Sequence, residues 1–419
     1  MSSIMRSILS WAIVLMPFTL AAAGENWPQF RGPEGNGVSD SRGLPLRWSE
    51  SKNIKWKTAI HGRAWSSPVI WGDQVWLTTA TDDGIELYAV CVDRGTGKVL
   101  RDIRLFRNEQ PPFVAPMNSY ASPTPIIEKG RFYASFGSFG TACVDTKSGE
   151  TIWSRRDFPC DHAVGPGSSP AMAGDLLVLQ MDGRDTQYVI ALDKKTGEPV
   201  WKTKRSTDYG DRGVEFRKAF CTPLVIEFAG RRQVVSTGAV ETISYDPASG
   251  KELWKVRPDV NSYSNTSRPL FCFGLVLVNT GASMQIWAVR PDGHGDVTGS
   301  HVAWKIEKNV PFMPSPTIVG DLIFMINDSG IISCFEAKTG KNVWRHRLGG
   351  NFEASPIAAD GRVYFFSDDG PVTVIAAGRK YKELAVNKLD QGFLASPAVA
   401  GKAIFLRTKS HLYRIEECE

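Results

Sequence analysis

Several features are missing from this 419-residue chain. No stretch sustains a helical period over a long distance, while 39 glycines and 25 prolines recur throughout, which excludes a helical bundle. The seven cysteines are odd in number and none forms a C-x-x-C pair, so no thioredoxin-like or zinc-binding framework is expected. Cys91, Cys143 and Cys334 each stand two residues before an acid (Asp93, Asp145, Glu336). Ala191 and Ser244 hold the same place elsewhere, so these cysteines read as small packed strand residues. An excess of one charge is also missing: 49 Lys and Arg face 44 Asp and Glu, for a net charge of +5. That is too small and too scattered to draw nucleic acid. After the first 23 residues no segment is apolar enough to span a bilayer. With 42% hydrophobic residues, wholesale disorder is excluded.

Residues 1–23 read as a secretory signal peptide, with Arg6 as the positive region, an apolar stretch from Ile8 to Leu20, and Ala21-Ala22-Ala23 before Gly24. An uncleaved anchor is the alternative, although the stretch is short of the roughly 20 apolar residues a span requires. No Cys follows the small residues, so the usual lipoprotein attachment signal is missing. The expected product is periplasmic or secreted, monomeric, and without a membrane span after cleavage.

The chain repeats. A Ser/Thr-x-Pro or Ser-Pro pair opens one segment after another, at Pro68, Pro123, Pro170, Pro223, Pro269, Pro316, Pro356 and Pro397. A short apolar strand follows, then a turn, a second strand, and a third that ends in acid-x-x-x-Gly-x-x-x-Trp. The clean copies are Asp145/Gly149/Trp153, Asp193/Gly197/Trp201 and Asp246/Gly250/Trp254, with Glu336/Gly340/Trp344 as a variant. Four short strands in each 40–50 residues are the pattern of a propeller blade, and eight openings predict an all-β, eight-bladed propeller. The motif residues are read as structural: the Trp supplies apolar area, and the acid satisfies backbone donors in the turn.

The last segment reaches its third strand at His411–Ile415 and has no fourth, whereas Asn53-Ile54-Lys55-Trp56 looks like a fourth strand. The N-terminal strand is therefore expected to complete blade eight and close the ring. The expected organisation is a signal peptide (1–23), an extended segment (24–49) and a single propeller (50–419). Some blades depart from the pattern. Arg101 replaces the Trp in blade one, and blade seven has lost both acid and Trp. In blade five Arg290 replaces the acid, and Pro291–Asp296 lengthens the turn. That turn lacks the spacing and terminal Glu of a calcium loop and reads as an extended hairpin.

The Ala-x-Asp-x-x-Thr-Gly-x-x-x-Trp pattern of Ala191–Trp201 resembles the repeats of pyrroloquinoline-quinone (PQQ) enzymes. With Trp27-Pro28-Gln29-Phe30-Arg31-Gly32, Asn118–Pro123, Gly165–Pro170 and His411–Ile415, the chain resembles secreted PQQ-binding-like β-propeller proteins over essentially its whole mature length. This superfamily includes quinoprotein alcohol dehydrogenases and the propeller lipoprotein that assists outer-membrane β-barrel assembly, so the resemblance implies a fold and leaves function open. A dehydrogenase would place PQQ on a Trp over the channel, with Ca²⁺ held by Glu, Asn and Asp. Such enzymes typically carry an adjacent Cys-Cys pair and wall-forming insertions, and this chain has no such pair and is shorter. The favoured expectation is a non-catalytic binding or protein-interaction scaffold in the cell envelope, with no cofactor. The alternative is a PQQ- and Ca²⁺-dependent oxidoreductase acting on alcohols or sugars.

Connections between blades should cluster on one face, the longest being Arg101–Ala121 and Lys202–Cys221. Residues ahead of the opening prolines are candidates for the channel mouth: Arg63, Trp65, Asn118, Tyr120, His162, Arg217, Lys218, Arg268 and Glu353, with Asp161, Asn265 and Asn351 nearby. Cations outnumber anions there, so a small anionic or hydroxylated ligand, or an acidic peptide, would suit the mouth. The alternative is a rim that is merely solvated. His162 beside Asp161 is a candidate general base, and Trp27 and Phe30 are expected to pack on a blade.

Overall fold

The computed structural model describes residues 24–418. The signal-peptide reading falls on residues 1–23, outside them. Among the described residues there are eight antiparallel four-stranded sheets, one of which gains a short fifth strand, and together they form an eight-bladed β-propeller. The inner strands are Val69–Trp71, Ile126–Glu128, Ala171–Ala173, Leu224–Phe228, Leu270–Cys272, Thr317–Val319, Ile357–Ala359 and Ala398–Ala400. Among the described residues no helix is long and apolar enough to cross a membrane.

Each inner strand starts directly after a proline, which has no N–H to leave unpaired at a strand's first position. In blade two that proline is Pro125, since the strand begins at Ile126. Pro123, which the spacing pattern selects, lies two residues too early.

The ring closes as expected. Ile54–Ala59 pairs antiparallel with His411–Ile415 and becomes the outer strand of blade eight. No blade edge is left open at the seam.

The Trp motif acts between blades. Trp153 of blade two donates its indole N–H to Lys194 O of blade three at 3.0 Å. Trp201 does the same to Pro247 O at 2.8 Å, and Trp56 to Arg94 O at 3.0 Å across the seam. Each indole covers the turn glycine of the next blade. A Cβ on Gly197 would lie 2.6 Å from Trp153, and one on Gly97 2.7 Å from Trp56. These glycines also hold φ near +75°, a region that L side chains rarely adopt. Within each blade the small residue faces its Trp across the strand pair: Cys143 opposite Trp153, Ala191 opposite Trp201, Cys334 opposite Trp344. The acids behave as expected. Asp193 Oδ1 accepts from the Lys195 and Thr196 amides, and Asp145 Oδ1 from those of Lys147 and Ser148.

The irregular blades follow from the same contact. Pro291–Asp296 does not form a plain hairpin. Its Gly295–Asp296 pairs in parallel with the outer strand of blade four, beside Trp254. Trp254 then turns inward and donates to Gln233 Oε1 of its own blade at 2.7 Å.

Candidate functional site

The residues before the inner strands build the centre of the ring. Immediately ahead of seven of the eight prolines stands a hydroxyl: Ser67, Thr124, Ser169, Thr222, Ser315, Ser355 and Ser396. All seven are over nine-tenths buried. They form a blade-to-blade relay in which five of them donate the backbone N–H to the hydroxyl oxygen of the next blade. The steps are Ser67 to Thr124 (2.9 Å), Thr124 to Ser169 (2.9 Å), Ser169 to Thr222 (3.2 Å), Ser315 to Ser355 (2.9 Å) and Ser355 to Ser396 (2.9 Å). The eighth position is Arg268, whose amide donates to Ser315 Oγ at 2.9 Å. Having no hydroxyl, Arg268 opens the relay between blades four and five.

The seven hydroxyl residues line a central funnel of about 340 Å³. Its mouth is formed by the inter-blade connections, through Trp65, Met117, Asn118, Lys218, Phe312 and Glu353, and Phe30 also lines the funnel. Phe30 belongs to the N-terminal segment, which crosses the ring farther along the inner strands. Trp27 bridges to Ile70, the Ile127 amide donates to Pro28 O, and Val38 bridges to Ala358. The segment therefore closes one end of the channel, with Phe30 as its floor. Trp27 packs in a blade core as expected, whereas Phe30 faces the cavity.

Behind the floor lie two buried guanidinium groups. Arg31, held at φ +66°, donates to Ser315 O (3.1 Å), Asn36 O (2.7 Å), Pro316 O and Pro356 O. Arg268 donates to Phe30 O at 2.8 Å.

Of the nine mouth candidates, Trp65, Asn118, Lys218 and Glu353 line the funnel. The amide group of Asn118 is committed to the protein, donating to Val164 O and Pro166 O and accepting from Ser119 N. Lys218 Nζ is bound to Glu215 Oε2 at 2.8 Å. Arg63 stacks on Trp65 at 5.3 Å in an adjoining depression with Glu353, Asp368 and Lys409. There the Glu353 carboxyl is pushed up to about 7 by burial, and further by Asp368 and Asp328.

The other four lie elsewhere. Tyr120 donates to Pro112 O and packs on Phe139. Arg217 is folded back onto Arg212 O and Tyr209. Arg268 passes beneath the floor rather than into the mouth. His162 is buried: its Nε2 accepts from Ser138 N at 3.0 Å, and its Nδ1 lies 3.6 Å from Cys160 Sγ. Burial lowers its pKa to about 4, so at neutral pH it is an uncharged packing residue with both nitrogens occupied, which does not suit a general base serving the funnel. The connection after blade one is also shorter than expected, since its outer strand runs on to Arg107. The hydroxyl relay has a sequence signal, the Ser or Thr before seven of the eight prolines, which by itself marks only a strand opening.

The same face carries exposed apolar side chains on its connections. Phe113 is 71% exposed and Met117 69%, and Val214 and Phe216 are exposed on the connection before blade four.

Residues 48–203 and 215–417 match the family model described as outer membrane protein assembly factor BamB. A curated protein of that name from Shewanella oneidensis is 19% identical over 243 residues, covering 54% of this chain and 57% of the relative. The match thus spans little more than half of that relative's length. Among solved structures, BamB from Moraxella catarrhalis superposes with a TM-score of 0.61 at 11% identity, over 86% of this chain and 99% of the other. The quinohemoprotein alcohol dehydrogenase of Comamonas testosteroni superposes with a TM-score of 0.70 at 11% identity, over 96% of this chain and 82% of the other. At such identities the shared property is the fold.

Proposed function

This chain belongs to the BamB family of outer membrane protein assembly factors, and on that footing we propose that it is a non-catalytic protein-interaction scaffold of the cell envelope. The observation that carries the reading is the set of exposed apolar side chains on the connection face, led by Phe113 and Met117. Large apolar groups held out on ordered loops mark protein contact surfaces. The test is in-cell cross-linking from positions beside Phe113, followed by identification of the captured proteins. A Phe113→Glu/Met117→Glu variant should lose the cross-linked partner while keeping its thermal midpoint. Capture unchanged by the variant would defeat the reading.

The second reading is a quinoprotein oxidoreductase, favoured by a central funnel in a chain that superposes on a quinohemoprotein dehydrogenase. The funnel's donors fit PQQ with Ca²⁺ poorly. Glu353 is its one carboxylate, and the Asn118 carbonyl oxygen already accepts from Ser119 N and Ser122 Oγ. A divalent cation needs several free oxygens of that kind. Titration with PQQ and Ca²⁺ tests this directly, and tight calcium-dependent binding would restore the enzyme reading.

A further inference from the structure

Three guanidinium groups lie wholly inside the ring around the funnel, and none of them meets a carboxylate among the described residues. Arg31 and Arg268 sit behind the floor. Arg407 sits behind the wall of blade one, donating to Ser66 O (3.2 Å), Ser66 Oγ (2.8 Å) and Thr78 O (2.8 Å). All three spend their hydrogens on neutral oxygens, so their charge is not cancelled. Burial holds them below the ordinary arginine range, at about 9 for Arg31 and Arg407 and about 10 for Arg268. Elsewhere the chain neutralises such a group directly. Arg205, fully buried, forms a two-pronged pair with Asp182 at 2.7 and 2.8 Å. Buried charges are normally paired, so three unpaired cations around one cavity leave a counter-charge unaccounted for.

The wall supplies the complementary half. In the relay the hydroxyl oxygens of Thr124, Ser169, Thr222, Ser315, Ser355 and Ser396 accept a backbone N–H. Their own hydroxyl protons, and that of Ser67, have no protein acceptor among the described residues. The funnel is thus ringed by O–H donors, in a field of unbalanced positive charge, above an aromatic floor. Glu353, the one carboxylate lining it, stands two residues upstream of Ser355, at the mouth.

We propose that the funnel is a binding site for a carboxylate group, which accepts hydrogen bonds from the hydroxyl ring and is balanced by the buried arginines. A cavity of about 340 Å³ takes a small ligand or one acidic side chain, not a folded domain. Of the exposed apolar side chains named above, Met117 alone also lines the funnel, at its mouth, and the proposal does not depend on the scaffold reading.

Calorimetric titration of the purified chain tests it, with succinate, its neutral isostere succinamide, and the capped tripeptide acetyl-Gly-Glu-Gly-amide. Succinate or the tripeptide should bind and raise the thermal midpoint while succinamide does neither. Which of the two anions binds more tightly separates a free small carboxylate from a peptide side chain as the source. Ser67→Ala removes a donor without removing an amide's acceptor, so it should keep the wild-type midpoint and weaken binding about tenfold. Arg407→Met, checked for fold by its far-UV spectrum, should weaken it at least as much. Absence of heat and of stabilisation at about 10 mM of either anion would overturn the proposal. So would succinamide binding as well as succinate, or Ser67→Ala binding like the wild type.

Discussion

Arg101 stands over Gly149 as Trp153 stands over Gly197. Its guanidinium donates to Lys147 O in the same turn, one residue beyond the position equivalent to Lys194, whose carbonyl Trp153 binds. A residue that breaks the repeat in sequence therefore keeps the repeat's contact in space, with a charged donor on a flexible stem replacing an indole.

The two residues should differ in what they contribute. Trp153→Ala removes a buried ring from an inter-blade core and should cost about 3–5 kcal/mol of unfolding free energy. Arg101→Ala removes mainly one hydrogen bond and stem packing, and should cost about 1–2 kcal/mol. Urea midpoints of the two variants give the ordering.

The seam should be cooperative with the whole ring. A chain lacking residues 50–57 leaves His411–Ile415 as an open edge and removes Trp56 from Gly97. It should lose stability across all blades and show a lowered midpoint for the entire transition. A wild-type midpoint with only local fraying near residue 415 in hydrogen exchange would contradict this.

Glu353 and His162 should tilt the pH profile in opposite directions. Burial raises the Glu353 carboxyl from 4.5 to about 7, so the folded state holds the extra proton between those values. Its stabilising effect is complete below pH 4.5 and is lost as pH rises through 7. Glu353→Gln should remove that slope and leave the protein about 1–2 kcal/mol more stable at pH 8, a figure reduced for the group's partial exposure. His162 is lowered from 6.5 to about 4, so the folded state prefers the uncharged ring. Its contribution is complete above pH 6.5 and is lost as pH falls towards 4, and His162→Gln should flatten that part of the acid limb. Thermal midpoints between pH 4 and 8 resolve both.

Asp182→Ala would leave Arg205 inside the ring without its counter-charge, held only by Ser236 and Tyr245. A loss of about 3–5 kcal/mol is expected, as for breaking a buried pair from one side. Replacing both residues with apolar ones of similar volume should recover much of it, and a double-mutant cycle measures the coupling.

The blades were legible because their signal is local: a proline before the inner strand, an acid and glycine in the last turn, a Trp four residues on. The seam was legible for the same reason, since Trp56 has the motif's form without a blade of its own. Contacts that join blades were not. Nothing in the spacing of Gly149 and Trp153 says that they serve different interfaces. Pro123 and Pro125 are equivalent as text, and only the strand at Ile126 separates them. Distance from a proline places the mouth candidates along the chain but does not fix whether a side chain turns inward. Arg268 directly precedes Pro269 yet points under the floor, where Phe30 O needs a donor. His162 turns into the protein because Ser138 N needs an acceptor. The hydroxyls were in plain view, but their use as a ring depends on neighbours some 40–57 residues apart.

Ile54 and Ile415 are paired although 360 residues lie between them. The entropic toll of so large a loop grows only slowly with its length, yet a chain made from its N-terminus cannot form this pair until its last few residues exist. The strand at 54–59 must wait through the folding of seven blades, and closure becomes the final event of assembly. Until then the outer edge of blade eight presents unpaired donors and acceptors to any passing strand. A product truncated by even ten C-terminal residues would never pass that checkpoint. It would persist as an open, adhesive arc, the kind of species that proteases and chaperones remove.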